Sequence, residues 1–174
     1  MQLMQRLPKL RKHVEKEGVP SEQITFITVC NKHNEHGKVQ ARMLVISDNA
    51  VYNMSINGQK CKRRIPLSHI GLVTASEQTG QFVLHVPSEY DYHYSTVSRG
   101  WSLLDDDVPS SPLAAVLDAL QRSYASQAGG QAQHLPIRTF NEAGPLSSVV
   151  MKKRVTSDSD DIGLIGFAGH DSDD

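Results

Sequence analysis

Basic side chains gather in two short stretches of the first half of this sequence. Lys32, Lys38 and Arg42 lie near one another, and the run KCKRR follows at residues 60–64. An arginine can hold a phosphate group with two parallel hydrogen bonds, whereas a lysine acts as a compact point charge. The pattern predicts a site for a phosphate-bearing anion, and the candidate residues are Lys32, Lys38, Arg42, Lys60, Lys62 and Arg64.

The sequence carries none of the common catalytic motifs. It has no glycine-rich phosphate loop after a predicted strand, no GxSxG and no HExxH. We therefore predict a protein that is not an enzyme and that needs no cofactor. The run Asp105–Asp107 is interpreted as a solvated linker, and His85 as a strand residue that faces the rim of the fold rather than a general base.

Cys30 and Cys61 are the only cysteines, and they form no CxxC or CxH pattern. We interpret them as reduced, partly buried thiols that neither bridge nor bind metal. His33 and His36 have no further metal ligand near them in the chain beyond Glu35, so no metal site is predicted. Both histidines would add positive charge below about pH 6.5.

The charged residues are unevenly distributed along the chain. The net charge of −1 argues against a nucleic-acid-binding protein, which is usually basic overall. Basic residues exceed acidic ones over residues 1–100, and acidic residues exceed basic ones over residues 101–174. No apolar run approaches the roughly 20 residues of a membrane-spanning helix, and the N-terminus is unlike a secretory signal. We therefore expect a cytoplasmic protein whose contact with membrane or cytoskeleton is peripheral.

Short apolar segments and tight turns predict about seven strands between residues 24 and 97. The segment ITFITVCN is rich in the β-branched and aromatic residues that strands favour, and VQARMLVISD has an alternating pattern. Turns are indicated at Asp48-Asn49, Asn57-Gly58 and Thr79-Gly80. This spacing favours an antiparallel barrel or sandwich.

Helical spacing of apolar residues appears on both sides of the predicted strands. One short helix is predicted over about residues 7–17, either packed on the neighbouring domain or exposed as a basic amphipathic surface. A second is predicted to begin at Pro112, with Ser110 or Ser111 as its cap, and to end at Gly129-Gly130. One such helix can close an open end of a small barrel.

Polar and charged residues predominate after residue 130. This composition favours an extended or disordered chain over residues 131–174. The apolar stretch Ile162–Phe167 interrupts it, and the alternatives for this stretch are a docking peptide, a strand added to a sheet edge or no role.

Seven strands followed by one amphipathic helix resemble the order of elements in a pleckstrin homology (PH) domain. The resemblance lies in Ser47-Asp48 at the end of a strand, Val51-Tyr52, the basic strand Lys62–Leu67 and the strand Phe82–Val86. In this order they are similar to the PH-type module in the tail of class I myosins and to PH domains appended to some protist protein kinases. The resemblance implies a mainly β fold: a seven-stranded antiparallel barrel or sandwich with a C-terminal capping helix and a short N-terminal helix.

The resemblance also implies a domain organisation and a ligand. It predicts a basic helix and linker over residues 1–22, a PH-like domain over 23–128 and a flexible acidic tail over 129–174. PH domains that bind phosphoinositides hold the head-group phosphates with basic residues at the loop between their first two strands. Lys32 and Arg42 match the two ends of that pattern, and Gln40 stands where the pattern has Lys or Arg.

Two functions therefore remain open. The first is a non-catalytic targeting module that binds phosphoinositides and anionic membrane surfaces through this loop. The alternative is a protein-interaction module of the same fold for a scaffold or cytoskeletal partner, without meaningful lipid binding.

Overall fold

The computed structural model describes residues 2–97, 111–127 and 133–140, and the side chains of residues 8 onward within them. These residues form two α-helices and one eight-stranded sheet, which is not closed. The elements follow the order α1 (Gln2–Glu17), β1 (Ile24–His33), β2 (Val39–Ser47), β3 (Ala50–Ser55), β4 (Cys61–Pro66), β5 (Leu72–Ser76), β6 (Gln81–His85), β7 (Tyr92–Thr96), α2 (Pro112–Gln127) and β8 (Ile137–Phe140).

The seven strands predicted before α2 are present and pair antiparallel with their neighbours. The prediction of a mainly β fold with a helix after the strands is confirmed. The strand β8 was not expected, because it lies in the part of the chain that composition assigned to extended or disordered structure. It pairs parallel to β5, and the Val73 N–H donates to the Pro136 carbonyl at 2.9 Å.

The strands lie in the order β4-β3-β2-β1-β7-β6-β5-β8. Pairing of β1 with β7 thus joins a first half, β1–β4, to a second half, β5–β8. One core cluster contains buried residues from both halves and from α2, so the sheet folds over a shared core. We call the side of the sheet that carries this cluster the core face, and the opposite side the outer face.

The helix α2 packs at one end of the sheet. Its Ser123 hydroxyl lies 2.8 Å from the hydroxyl of Thr25 at the start of β1. The Gln127 side chain donates to the Asn49 carbonyl in the turn between β2 and β3, at 3.2 Å. Ser111 caps the helix by accepting a hydrogen bond from the Ala114 N–H at 3.0 Å, as predicted. The sheet therefore has one end covered by α2 and another end beyond its reach.

The helix α1 packs on the outer face of the first half of the sheet. Leu10 and Val14 are buried against residues of β1, β2 and β3, including Tyr52. Of the two alternatives predicted for this helix, packing on the adjacent domain is the one observed. The predicted start near residue 7 is wrong, because the helix begins at Gln2 and passes through Pro8. The helix ends before Gly18, and the Gly18 N–H donates to the Val14 carbonyl at 2.8 Å.

Several sequence features lie outside the described residues. They are the acidic run 105–107, the predicted helix end at 129–130 and the apolar stretch 162–167.

Candidate functional site

Three turns lie at the end of the sheet that α2 does not cover. They join β1 to β2, β3 to β4 and β6 to β7, and the antiparallel registers bring them to the same end. The core face here carries polar and charged side chains in place of the apolar core. We call these core-face residues the rim: Lys32, Gln40, Arg42, Arg63, Glu89 and Tyr92.

Lys32 and Arg42 occupy neighbouring strands on the core face. Lys32 pairs with Gln40, and Arg42 pairs with the core residue Cys30, so the two cations are diagonal neighbours across β1 and β2. They are 4% and 8% exposed. The ammonium of Lys32 lies 5.9 Å from the centre of the Tyr92 ring, within the range of a cation–π interaction.

The guanidinium of Arg42 is held beside its own strand. It donates to the side-chain oxygen of Gln40 at 2.7 Å and to the Ala41 carbonyl at 3.2 Å. Gln40, which replaces a basic residue in the family pattern, thereby orients Arg42. The Arg42 charge also lies close enough to act on Cys30, although burial dominates and raises the pKa of that thiol to about 12.

The turn between β1 and β2 is organised by Asn34. Its side-chain oxygen accepts hydrogen bonds from the N–H groups of His36 at 3.0 Å and Lys38 at 2.7 Å. The Gly37 N–H donates to the Asn34 carbonyl at 3.2 Å, and Gly37 has the positive φ of 76° that glycine adopts readily. These backbone donors already have partners, so this turn offers an anion the exposed side chain of Lys38.

Arg63 lies on the core face, although the candidate residues predicted from sequence included its neighbours Lys62 and Arg64 and left Arg63 out. It pairs with Asn53, two positions before the core residue Ile65. Its Nε donates to the Glu89 carboxylate at 3.1 Å, and its Nη2 makes a second bond to the other carboxylate oxygen. Hydrogen bonding to Glu89 raises the pKa of Arg63.

Tyr92 connects this ion pair to Lys32. Its hydroxyl donates to the Glu89 carboxylate at 2.8 Å, while its ring lies beneath the Lys32 ammonium. The Glu89 carboxylate therefore has three donors, from Arg63 in the first half of the sheet and Tyr92 in the second. Sequence analysis missed both Glu89 and Tyr92.

Arg64 lies on the outer face, away from Lys32 and Arg42. It donates to the Glu22 carboxylate and to the Tyr52 hydroxyl, each at 3.1 Å. The same carboxylate accepts hydrogen bonds from Ser47, from Tyr52 and from the Val19 N–H. Arg64 is thus part of a polar network beside the end of α1.

The other two candidate lysines come from the turn between β3 and β4 and from β4 itself. Lys60 is exposed, and its N–H donates to the Ser55 hydroxyl at 3.0 Å. Lys62 is half-buried in β4, next to an irregularity in the pairing with β3 at Asn53 and Met54. The structure places both at the same end of the sheet as Lys32.

The histidines of this region make protein contacts. His33 stacks on His93 with ring centres 4.4 Å apart and contacts the Ser95 hydroxyl at 2.8 Å. His36 lies 3.0 Å from a Glu35 carboxylate oxygen. Over residues 2–97, 111–127 and 133–140, no cluster of three histidine, cysteine or acidic side chains is arranged to hold a metal ion.

His85 is buried on the outer face instead of facing the rim. One ring nitrogen lies 2.7 Å from the Thr74 hydroxyl and the other 2.6 Å from the Asp91 carboxylate. A hydroxyl, a histidine and a carboxylate in this order resemble a hydrolytic triad. All three side chains are buried, and the row ties β5, β6 and the turn before β7 together.

A sheet folded over one core, with a helix at one end and basic side chains at the other, defines a PH-type binding module. The chain belongs to the unconventional myosin tail family, described as actin- and lipid-binding, which matches residues 3–122. The matched range includes nearly all of α1 as well as the strands β1–β7. This is a family of binding modules, and its description fits peripheral association with membrane or cytoskeleton.

A solved structure supports the fold. The chain is similar to the hSac2 domain of the human phosphoinositide phosphatase Sac2, with a TM-score of 0.51 and 18% identity over 82% of this chain and 92% of that one. No curated protein matches the chain. Neither described helix is long and apolar enough to cross a bilayer.

Proposed function

We propose that this chain is a non-catalytic targeting module that binds phosphoinositides in anionic membranes through the rim. The observation that carries the proposal is the placement of Lys32 and Arg42 on one face of adjacent strands, beside an exposed Lys38. The family's lipid-binding description supports the same ligand class.

The chemistry of the rim suits phosphate groups on a sugar ring. Arg42 offers a planar guanidinium with its orientation set by Gln40, and Lys32 offers a point charge beside it. Lys38 and Lys60 extend from two turns at the same end and would meet the surrounding anionic surface. Each such exposed cation contributes about 1 kcal/mol of membrane attraction, which corresponds to about fivefold in affinity.

The test is sedimentation of the protein with phosphatidylcholine vesicles that contain phosphatidylinositol 4,5-bisphosphate. Phosphatidylserine vesicles of equal charge and soluble inositol trisphosphate as a competitor separate head-group recognition from simple charge attraction. The variants Lys32→Gln and Arg42→Gln should each weaken binding about tenfold, because each removes a charged hydrogen bond to phosphate. Lys38→Ala should weaken it about fivefold.

The matched control is Lys9→Gln, which removes one exposed positive charge from α1 on the outer face. Because Lys32 and Arg42 are buried, circular dichroism must show that their variants remain folded. Binding that survives in folded Lys32→Gln and Arg42→Gln variants would refute this use of the rim.

A second candidate function is binding to a cytoskeletal protein. The family description includes actin. The edge strands of the described sheet are β4 and β8, and an extended segment of a partner can add to such an edge through backbone hydrogen bonds. Co-sedimentation with filamentous actin tests this function. Binding that the rim variants leave unchanged would assign actin to another surface of the module, and absence of binding would exclude the candidate.

A further inference from the structure

We infer that Glu89 is an internal competitor for the anion at the rim. A bound phosphate group would displace its carboxylate from Arg63 and Tyr92. This inference rests on the proposed function, because it assumes that the rim is where the anion binds.

The contacts of Glu89 are those of a bound anion. Its carboxylate accepts two hydrogen bonds from the guanidinium of Arg63 and one from the Tyr92 hydroxyl. Lys32 lies over the ring of the same tyrosine. The carboxylate thus occupies a position lined by a guanidinium and a hydroxyl donor, which are groups that also bind phosphate.

The ion pair is open to solvent on its Arg63 side. The side chain of Arg63 is 47% exposed and that of Glu89 is 17% exposed, so water solvates the guanidinium well once the pair separates. Glu89 belongs to the turn between β6 and β7, so its side chain can turn outward without breaking strand pairing. A phosphate monoester carries more charge than a carboxylate and can take the same two donors of Arg63.

Two effects of Glu89 would then oppose ligand binding. Its carboxylate must leave Arg63, and its negative charge remains close to the incoming phosphate groups. The residue therefore sets the affinity of the rim for anions, and removal of its charge should increase that affinity.

The experiment compares Glu89→Gln with Glu77→Gln in the phosphatidylinositol 4,5-bisphosphate vesicle assay. Glu77 is exposed in the turn between β5 and β6, at the α2 end of the sheet, so its variant makes the same charge change far from the rim. Glu89→Gln should bind about fivefold more tightly, the size expected from loss of one partly exposed ion pair. Glu77→Gln should change binding less than twofold. Equal effects of the two variants would overturn the inference, because only the net charge would then matter.

Arg63→Ala provides the second measurement. The gain from Glu89→Gln should become smaller when Arg63 is replaced, since the part that comes from releasing that guanidinium is then lost. An undiminished gain in the double variant would also overturn the inference.

The outcome separates this inference from the proposed function. If Lys32→Gln and Arg42→Gln leave binding unchanged, the proposed function fails. If they weaken binding while Glu89→Gln behaves as Glu77→Gln does, only the role of Glu89 fails. Thermal melting of each variant checks that the affinity change does not come from unfolding.

Discussion

Replacement of Glu22 with glutamine should destabilise the protein strongly, although no part of the rim changes. The Glu22 side chain is fully buried, and its two oxygens accept hydrogen bonds from four donors. Ser47 and Tyr52 donate to one oxygen, whereas Val19 and Arg64 donate to the other. The network fixes the chain between α1 and β1 against the outer face of the sheet.

The expected magnitude follows from the donors that an amide would leave without an acceptor. The NH₂ group of glutamine replaces one carboxylate oxygen, so two of the four donors would face another donor and have no acceptor. Each lost bond in a buried site costs about 1–3 kcal/mol, and the partly buried guanidinium of Arg64 also loses its counter-charge. We therefore expect the free energy of unfolding to fall by about 3 kcal/mol, a large share of the usual total.

The assay is urea denaturation of Glu22→Gln and of the control Glu15→Gln, which makes the same change at an exposed position of α1. Burial raises the pKa of Glu22, but hydrogen bonds from Ser47, Val19, Tyr52 and Arg64 outweigh it and keep the pKa below its usual 4.5. The stabilisation is therefore fully present above about pH 4.5 and is lost as the pH falls through the lower folded-state pKa. The difference between wild type and Glu22→Gln should shrink on acidification. A difference below about 1 kcal/mol at neutral pH would refute the role given to this network.

Three further predictions concern other parts of the chain. Leu10→Ala should lower the free energy of unfolding by about 2–4 kcal/mol in urea denaturation, because it leaves a cavity between α1 and the sheet, whereas exposed Lys9→Ala should have little effect. Burial, with a smaller contribution from the His33 charge, lowers the pKa of His93 from 6.5 to about 4. Between these two values the unfolded state binds the proton more readily, so the free energy of unfolding should fall as the pH drops from about 6.5 to about 4. Denaturation of His93→Gln at several pH values should show a weaker dependence of stability on pH over this range. A thiol reagent applied to the native protein should label Cys61 before Cys30, because Cys30 is fully buried and its pKa is raised to about 12. Equal labelling rates would contradict the burial of Cys30.

Much of the fold could be predicted because the strands before α2 carry local signals. Asn57-Gly58 is one example: Gly58 has a φ of 69°, which the turn requires and which glycine adopts without strain. The strand β8 carries no comparable pattern. Its four residues are ordered by pairing with the edge of β5, a contact between segments far apart in the sequence.

The sequence could predict only those residues of the candidate site whose place follows from a family pattern or from the alternation of side chains along a strand. Lys32 and Arg42 were predicted from their match to the PH-domain pattern, and strand alternation predicts that Lys38 faces the same side as Arg42. Arg63 could have been found in the same way, by counting back two residues from the apolar Ile65. Glu89 could not, because its place beside Arg63 depends on how the two halves of the sheet fold over each other.

The bonds that Asn34 makes within its turn have a consequence for selectivity. Backbone amides hold an anion in a fixed geometry, whereas lysine side chains adapt to several arrangements of charge. With the amides of His36 and Lys38 already occupied, recognition at this turn depends on flexible groups. Such a surface should respond to the number of phosphates on an inositol ring more than to their positions, and positional isomers with equal phosphate numbers should bind with similar affinity.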